Sequence, residues 1–365
     1  MVFIPSGTFS MGGDPGLMGG GSQSHNSSYP IHEVTLDAFW MDEAEVTNQQ
    51  FADFVEATGY VTFAERPLPE AFINEVKRIS NERIRQMKLV LSRSSGSERE
   101  AIEEEIANIE KSLEFGDSAG SIVFTPPEDQ ISSRYDYTQW WQILPGATWR
   151  SPEGPGSTWI GREDHPVVNV NSEDAATYAK WAGKRLPTEA EWERAARGGL
   201  SRKPYTWGKD FAPLGEGTWM ANIWQGVWPY ENTGEDGFVL TAPVKAFPPN
   251  AFGLYDISGN VWEIVADRYH PQTYAHRAEE VSINPTGPSA ALISGRAIDP
   301  ERFVIRGGSF LCSDSWCRGY QPGSRQAQES DSPANHTGFR CARDYEATEI
   351  SLSSTSQTPS LRIDE

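Results

Sequence analysis

The chain has 365 residues, of which 33 are glycine, 25 proline and 13 tryptophan, and 22% are charged. It holds 31 basic and 51 acidic residues, which gives a formal net charge of −20 at pH 7. Nucleic acid and anionic membrane surfaces would repel this charge, and no apolar run is long enough to cross a bilayer. We therefore expect a globular protein that binds neither nucleic acid nor membrane and has long irregular connections.

Residues 1–65 predict strands followed by a helix. Residues 34–41 are rich in side chains that favour strands. Thr47 and Gln50 have the spacing of a helix capping box, and Gly59 is placed to end the helix that follows.

Residues 67–115 differ from the rest because charges are dense and Gly96 is the only glycine. The spacing of apolar residues predicts an inserted hairpin of two helices, roughly 23 and 17 residues long, that turns near Gly96. The apolar seam is formed by Phe72, Val76, Ile79, Ile102, Ile106, Ile109 and Leu113. The hairpin could be structural or could dock a partner, and we favour the structural role because each helix already supplies the other's partner.

Two more helices are predicted further along the chain. Residues 172–182 are ended by Gly183, and Thr188 with Glu191 forms a second capping box before a helix that stops at Gly198. Elsewhere only short strands and turns are indicated. The last residues, 346–365, are rich in Ser and Thr and predict a flexible tail.

Cys312 and Cys317 lie five residues apart, and the turn-forming residues Ser313-Asp314-Ser315 between them could bring the thiols together. Such a pair could form a labile disulfide or hold a soft metal ion such as Cu(I), whereas zinc would need further ligands. Two unrelated buried cysteines explain the spacing equally well. The third cysteine, Cys341, makes the number odd, and no secretory segment precedes the strand at 1–7, so we predict a cytoplasmic protein.

Three loops combine carboxylates, amides and glycines, at residues 222–226, 234–238 and 256–263. Oxygen-rich loops of this kind can bind Ca²⁺, although on composition alone ordinary turns are favoured. No phosphate-binding loop, paired-histidine zinc motif or nucleophile elbow occurs, so hydrolase functions find little support.

Segments spread over almost the whole chain resemble the formylglycine-generating enzymes, a family also called sulfatase-modifying factors. They lie at residues 1–7, 39–48, 149–155, 165–168, 181–193, 221–226, 253–255, 259–263, 306–309 and 338–342. The resemblance implies an α+β domain with low regular secondary structure and a C-type lectin-like fold. This domain would cover residues 1–345 and be interrupted by the helical hairpin at 67–115.

The resemblance also implies a reaction, the copper-dependent, O₂-consuming oxidation of a cysteine in a sulfatase C-x-P-x-R motif to Cα-formylglycine. Cys312 and Cys317 would hold Cu(I) with the substrate thiol as third ligand, and Ser309 would line the oxygen side of the pocket. The substrate pocket would include three further side chains, Arg325, Trp316 and His336. We expect a monomer whose partners are a sulfatase-type polypeptide and O₂.

Two calcium sites are implied in the same way. The first would use Asn222 and Asp236 with the backbone carbonyls of Ile223 and Phe238. The second would use Asp256 and Glu263 with the carbonyls of Gly259 and Val261, and Glu45 matches a further position associated with calcium.

The chain departs from the family pattern close to the site. The stretch from Arg318 to Pro333 is changed, His336 stands where the family has Asn, and Cys341 has lost the partner that forms a disulfide in secreted members. These changes leave two alternatives open. The chain could be a family oxidase that acts on a different protein or small thiol, or a non-catalytic binding module of the same fold.

Overall fold

The computed structural model describes residues 1–13, 27–114, 118–127, 130–133, 136–212, 214–279, 281–288 and 302–346. The tail predicted at 346–365 lies outside the described residues from position 347 onward. Within the described ranges, no helix combines the length and the apolar character that a membrane span requires.

The helices of the described ranges include two long ones and several short ones. Helix α1 spans Asn48–Thr58, α2 Glu70–Leu91, α3 Ser97–Glu114, α4 Ser172–Trp181, α5 Glu189–Arg197 and α6 Thr273–Arg277. At α1, the side chain of Thr47 accepts a hydrogen bond from the Gln50 amide, and Gly59 ends the helix with φ +67°. Thr188 begins α5 in the same way. The predicted helix starts are confirmed, because these side chains bind amides that a first turn leaves free.

The helical hairpin is formed by α2 and α3. Ile84 and Ile106 are buried between the two helices, and the ion pairs Arg83–Glu105 and Lys88–Glu110 join them. The prediction of Ile79 as a seam residue was wrong, since its side chain is 53% exposed. The side chains of Phe72, Val76 and Leu113 lie outside the described set.

The strands are short and form small sheets. Strands β1 (Val2–Ile4), β4 (Phe39–Met41) and β14 (Ala342–Asp344) form one antiparallel sheet in the order β1-β4-β14. A second sheet has the order β10-β3-β2, with β2 at Gly7–Met11, β3 at His32–Leu36 and β10 at Ser282–Ile283. Two-stranded ribbons pair β5 (Ser121–Phe124) with β6 (Trp141–Leu144), and β7 (Gly226–Val227) with β8 (Glu231–Asn232).

A four-stranded sheet carries the candidate site. Its order is β12-β11-β9-β13, with β9 at Trp262–Arg268, β11 at Arg302–Arg306, β12 at Gln326–Glu329 and β13 at Thr337–Gly338. Helix α5 packs against β9 and β11, and its Trp192 belongs to one of two large hydrophobic clusters. The other cluster includes Phe51, Trp149 and Cys312. This mixture of short strands and short helices confirms the α+β fold with low regular secondary structure.

Candidate active site

The thiols of Cys312 and Cys317 meet at a turn. The Cys317 amide donates to the Ser313 carbonyl at 3.2 Å, and the Trp316 amide donates to Ser313 Oγ at 3.0 Å. Both thiols line the same cavity, and each lies close enough to the other to shift its pKa. The predicted turn between the cysteines is therefore present, and neither cysteine forms a disulfide.

Two glycines allow the chain to close behind this turn. Gly308 has φ +73°, and a Cβ there would lie 2.4 Å from the Tyr320 nitrogen. A Cβ at Gly319 would lie 2.4 Å from the ring of Trp262. Any larger residue would push apart the two ends of the segment that carries both thiols.

The two sulfurs differ in their affinity for a proton. Burial raises the pKa of Cys312, but hydrogen bonds from Cys317 and from the backbone at Ser309 and Gly319 outweigh it, so the pKa is lowered. The hydrogen bond to Cys312, together with burial, holds the pKa of Cys317 well above its usual value. Gln326 Nε2 also donates to Cys317 Sγ at 3.7 Å. Cys317 therefore holds its proton more tightly than Cys312, so Cys312 is the sulfur that forms a thiolate first.

The thiols open into a cavity of about 560 Å³. Strand β12 forms one wall of the cavity, and the other walls are largely aromatic. These other walls include Tyr137, Trp141, Trp228, Trp262, Ser309, Trp316 and His336. The structure thus brings together five predicted site residues: Cys312, Cys317, Ser309, Trp316 and His336.

Aromatic stacking fixes the walls of this cavity. Trp316 stacks on Trp228 with ring centroids 4.2 Å apart, and His336 stacks on Trp141 at 4.7 Å. Burial lowers the pKa of His336 to about 3, so its imidazole is neutral at physiological pH. Among the described residues, Nδ1 of His336 has no hydrogen-bond partner.

Arg325 was predicted in the substrate pocket, but the structure places it in a buried ion cluster outside the lining of the cavity. Its Nε donates to Glu189 Oε1 at 2.6 Å, and Arg306 Nη1 donates to the same oxygen at 3.0 Å. Arg306 Nη2 donates to Glu193 Oε2 at 2.6 Å. Burial would raise the pKa of Glu189, but Arg325 and Arg306 lower it to about 2. Arg325 therefore ties its loop to Glu189, and its assignment to the substrate pocket stays a prediction.

The first acidic site is organised by Asp236. Its carboxylate accepts hydrogen bonds from the amides of Ile223 and Phe238, both at 2.9 Å, and from Gln225 Nε2 at 2.8 Å. Gln225 Nε2 also donates to the Ile223 carbonyl. Within the described set, the buried Oδ1 of Asn222 has no partner and could accept a ligand.

In the second acidic site, Glu263 differs from its neighbours. Both of its oxygens accept hydrogen bonds from Arg340 at 2.7 Å, and Oε2 also accepts from Trp192 Nε1. Glu45 Oε2 and Asp256 Oδ1 are buried without a partner among the described residues. Burial, reinforced by the negative charge of Asp256, raises the pKa of Glu45 well above its usual value. Burial also raises the pKa of Asp256 to about 6.

The acidic loops are bonded directly to the thiol loop. The Asn260 amide donates to the Asn222 carbonyl at 2.9 Å, and the Phe310 amide donates to the Asn260 carbonyl at 2.9 Å. The Trp224 amide donates to the Cys312 carbonyl at 3.0 Å. Any ion held by these loops would therefore stabilise the backbone that positions Cys312.

Within the part of the chain described here, no group of three or more His, Cys, Asp or Glu side chains lies together as a metal site. The protein ligands for a soft metal at this site would be the two thiols, and a cation at the acidic loops would need amide or backbone carbonyl oxygens. Several residues that line the cavity were not predicted as site residues, among them Trp141, Trp228 and Gln326. The abundance of tryptophan was visible, but nothing local indicated which rings meet.

A second, larger groove of about 1130 Å³ lies on another face. It is lined by side chains such as Phe63, Lys180 and Phe303, and neither Cys312 nor Cys317 belongs to it. The smaller cavity is the better candidate because chemistry depends on reactive groups and not on volume.

Comparisons with known proteins identify the family of the chain. Residues 1–345 match the family described as "Sulfatase-modifying factor enzyme 1-like domain". The chain is 41% identical over 345 residues to a formylglycine-generating enzyme of Thermomonospora curvata, which covers 94% of this chain and 93% of the relative. It is 32% identical over 345 residues to the "Inactive C-alpha-formylglycine-generating enzyme 2" of Bos taurus, covering 94% and 87%.

Among solved structures, PvdO from Pseudomonas aeruginosa superposes with a TM-score of 0.54 at 22% identity, covering 94% of this chain and 93% of that one. At this identity the likeness concerns the fold alone. Together with the match over residues 1–345, these relatives confirm the resemblance seen in the sequence. The chain belongs to the sulfatase-modifying factor family, which includes the formylglycine-generating enzymes.

Proposed function

We propose that this protein oxidises a cysteine of a sulfatase-type polypeptide, within a C-x-P-x-R motif, to Cα-formylglycine. The observation that supports this most is that Cys312 and Cys317 line the same cavity, which is large enough for a peptide side chain. The proposal is also supported by about 40% identity to formylglycine-generating enzymes over nearly the whole chain.

The reaction consumes O₂ and a reductant. Conversion of the substrate CH₂–SH group to an aldehyde breaks the C–S bond, releases H₂S and gives up two electrons. Reduction of O₂ takes four electrons, so two more come from a thiol reductant that becomes a disulfide. The overall balance is one cysteine, one O₂ and two thiols giving one aldehyde, one H₂S, one water and one disulfide.

We propose that Cys312 and Cys317 hold Cu(I), which would supply the activation of O₂. Two close sulfurs are the donors that this soft ion prefers, and a thiolate at Cys312 would need no further deprotonation. Because the described residues offer only this pair, a third position stays open for the substrate thiol.

The protein itself orients the substrate and excludes water. The rings of Trp228 and Trp316 wall the cavity, and the neutral His336 can exchange a hydrogen bond with an entering thiol. Ser309 bonds to Cys312 and holds that sulfur in place. Together these groups restrict the position of the substrate sulfur relative to Cys312 and Cys317.

We also propose that the acidic loops bind Ca²⁺. The buried oxygens of Asn222, Glu45 and Asp256 lack partners among the described residues, and a hard cation prefers oxygen ligands of this kind. Glu263 fits less well, because Arg340 and Trp192 already occupy its carboxylate.

The test combines anaerobic Cu(I) titration with mass spectrometry of a C-x-P-x-R peptide incubated with O₂ and a thiol. One equivalent of copper and conversion of CH₂–SH to CHO are expected, and both should be lost in Cys312→Ser. Cys341→Ser is the matched control, because Cys341 is also buried but does not line the cavity.

Copper binding without conversion of the peptide would mean that the substrate is another protein or a small thiol. The changed stretch from Arg318 to Pro333 gives this second candidate its support. Absence of tight copper binding would instead favour a non-catalytic binding module, as the name of the inactive bovine relative illustrates.

A further inference from the structure

Strand β12 lies at the edge of the four-stranded sheet and has β11 as its neighbour on one side only. On its other side the Glu329 carbonyl accepts a turn hydrogen bond from the Ser332 amide. Within the described ranges, no other backbone hydrogen bond is made by that side of β12. An edge of this kind can accept a further strand.

The direction of each backbone group follows from the pairing of β11. The Tyr269 amide donates to the Arg302 carbonyl at 2.7 Å, so the backbone N–H and C=O of Arg302 point toward β9. The backbone groups of the next residue, Phe303, therefore point toward β12. Pairing is continuous from Arg302↔Glu329 to Ile305↔Gln326. Because backbone groups alternate in direction along a strand, Ala327 and Glu329 direct theirs outward.

This outer edge runs along the thiol cavity. All four residues of β12, from Gln326 to Glu329, line the cavity. Since successive side chains point to opposite faces of a sheet, a cavity that touches four consecutive residues contacts the edge of the strand. The Gln326 end reaches the reactive groups, because its Nε2 donates to Cys317 Sγ.

We propose that the target polypeptide binds by pairing, as an extended strand, with the outer edge of β12. Its backbone pairs with the N–H and C=O of Ala327 and the N–H of Glu329, and its cysteine lies at the Gln326 end beside the thiols. This inference rests on the proposed function and adds how the substrate is held. Pairing through the backbone fixes the register of the peptide, while alternate side chains enter the aromatic cavity.

The occupant is the target polypeptide because the edge and the thiol cavity form one continuous surface. A second copy of this chain could also pair at an exposed edge. A second copy at this edge would cover the cavity and compete with the peptide for binding. The tests below detect such competition.

The first test measures binding of a fluorescent C-x-P-x-R peptide with Ser in place of Cys, so that no turnover occurs. Single N-methylations along the peptide remove one backbone donor at a time. Binding should weaken about tenfold at alternate residues and stay unchanged at those between, since each lost hydrogen bond acts at the edge. Equal losses at adjacent positions, or none, would overturn the inference.

The second test uses Ala327→Pro, which removes an outward N–H that β11 does not need. Peptide affinity should fall about tenfold, whereas Cu(I) stoichiometry and the urea midpoint should stay as in the Ala327→Gly control. Unchanged affinity would contradict the pairing.

Outcomes for the inference and for the proposed function are separable. If no C-x-P-x-R peptide binds or is oxidised, the proposed function fails. If the peptide is oxidised but N-methylation shows no alternation, only the strand pairing fails. A dimer in sedimentation that Ala327→Pro dissociates, and that peptide does not, would assign the edge to a second copy and overturn the inference.

Discussion

Two buried polar clusters support the thiol loop, and they are built in opposite ways. In the charge-balanced cluster, both oxygens of Glu189 and of Glu193 accept hydrogen bonds. The nearest cations are Arg306 and Arg325 for Glu189, and Arg306 and Arg197 for Glu193. In the oxygen-rich cluster, Glu45, Asp256 and Asn222 each leave one buried oxygen without a partner among the described residues.

The difference separates structural polar groups from groups that await a ligand. A buried carboxylate with a complete set of donors needs nothing further, whereas a buried oxygen without a donor carries a desolvation penalty that a bound cation can remove. Glu189 binds Arg306 and Arg325, which lie just before and just after the segment that carries both cysteines. It therefore clamps the two ends of the thiol loop.

The largest effect is expected when the charge balance is broken. Arg325→Met leaves the buried Glu189 with Arg306 as its nearest cation, and the free energy of unfolding should fall by about 3–5 kcal/mol. Urea unfolding followed by tryptophan fluorescence measures this loss. Arg325→Lys keeps the positive charge, so its free energy of unfolding should fall by less than that of Arg325→Met. Equal losses in both variants would show that packing of the guanidinium, and not its charge, is what matters.

The pH dependence of this cluster has a definite sign. The pKa of Glu189 is lowered from 4.5 to about 2, so its contribution to stability is fully present above 4.5. That contribution is lost as the pH falls through about 2. Acid unfolding of Glu189→Gln should therefore depend less on pH between 4.5 and 2 than that of the unaltered protein.

An intermediate effect of opposite sign is expected in the oxygen-rich cluster of the metal-free protein. The pKa of Asp256 is raised from 3.8 to about 6, so its stabilising contribution is present below 3.8 and is lost as the pH rises through about 6. The whole loss amounts to about 3 kcal/mol, of which about 1.4 kcal/mol falls between pH 5 and pH 7.5, and Asp256→Asn should remove it. Urea unfolding at pH 5 and pH 7.5, with and without Ca²⁺, measures both. A pH trend that calcium leaves unchanged would contradict a cation at this position.

The features that could be predicted from the sequence are those that depend on residues close together in the chain. The capping boxes at Thr47 and Thr188 and the turn between Cys312 and Cys317 are local, and all are present. The ion pair of Arg325 was not predicted, because its partner, Glu189, lies 136 residues away and no local signal connects them. Ile79 was misplaced because its spacing fits a helix face without saying which face meets the other helix.

The smallest effect is expected at Glu45, and it isolates the role of the unpartnered oxygens. Burial and the repulsion by Asp256 raise the pKa of Glu45 well above its usual value, which shifts the metal-free protein toward the protonated form of this side chain. Glu45→Gln has the shape of that form, and its amide oxygen can still accept from Asn260. Without metal at pH 7, the free energy of unfolding should change by less than about 1 kcal/mol.

With Ca²⁺, the same substitution should reduce the rise in Tm, because an amide lacks the charge of a carboxylate ligand. The comparison needs differential scanning calorimetry of both proteins in chelator and in saturating calcium. A large loss in chelator would mean that Glu45 is ionised and structurally paired, as in the charge-balanced cluster. A small loss in chelator with a reduced calcium response would instead identify Glu45 as a ligand held ready, because only the bound cation makes its negative charge favourable.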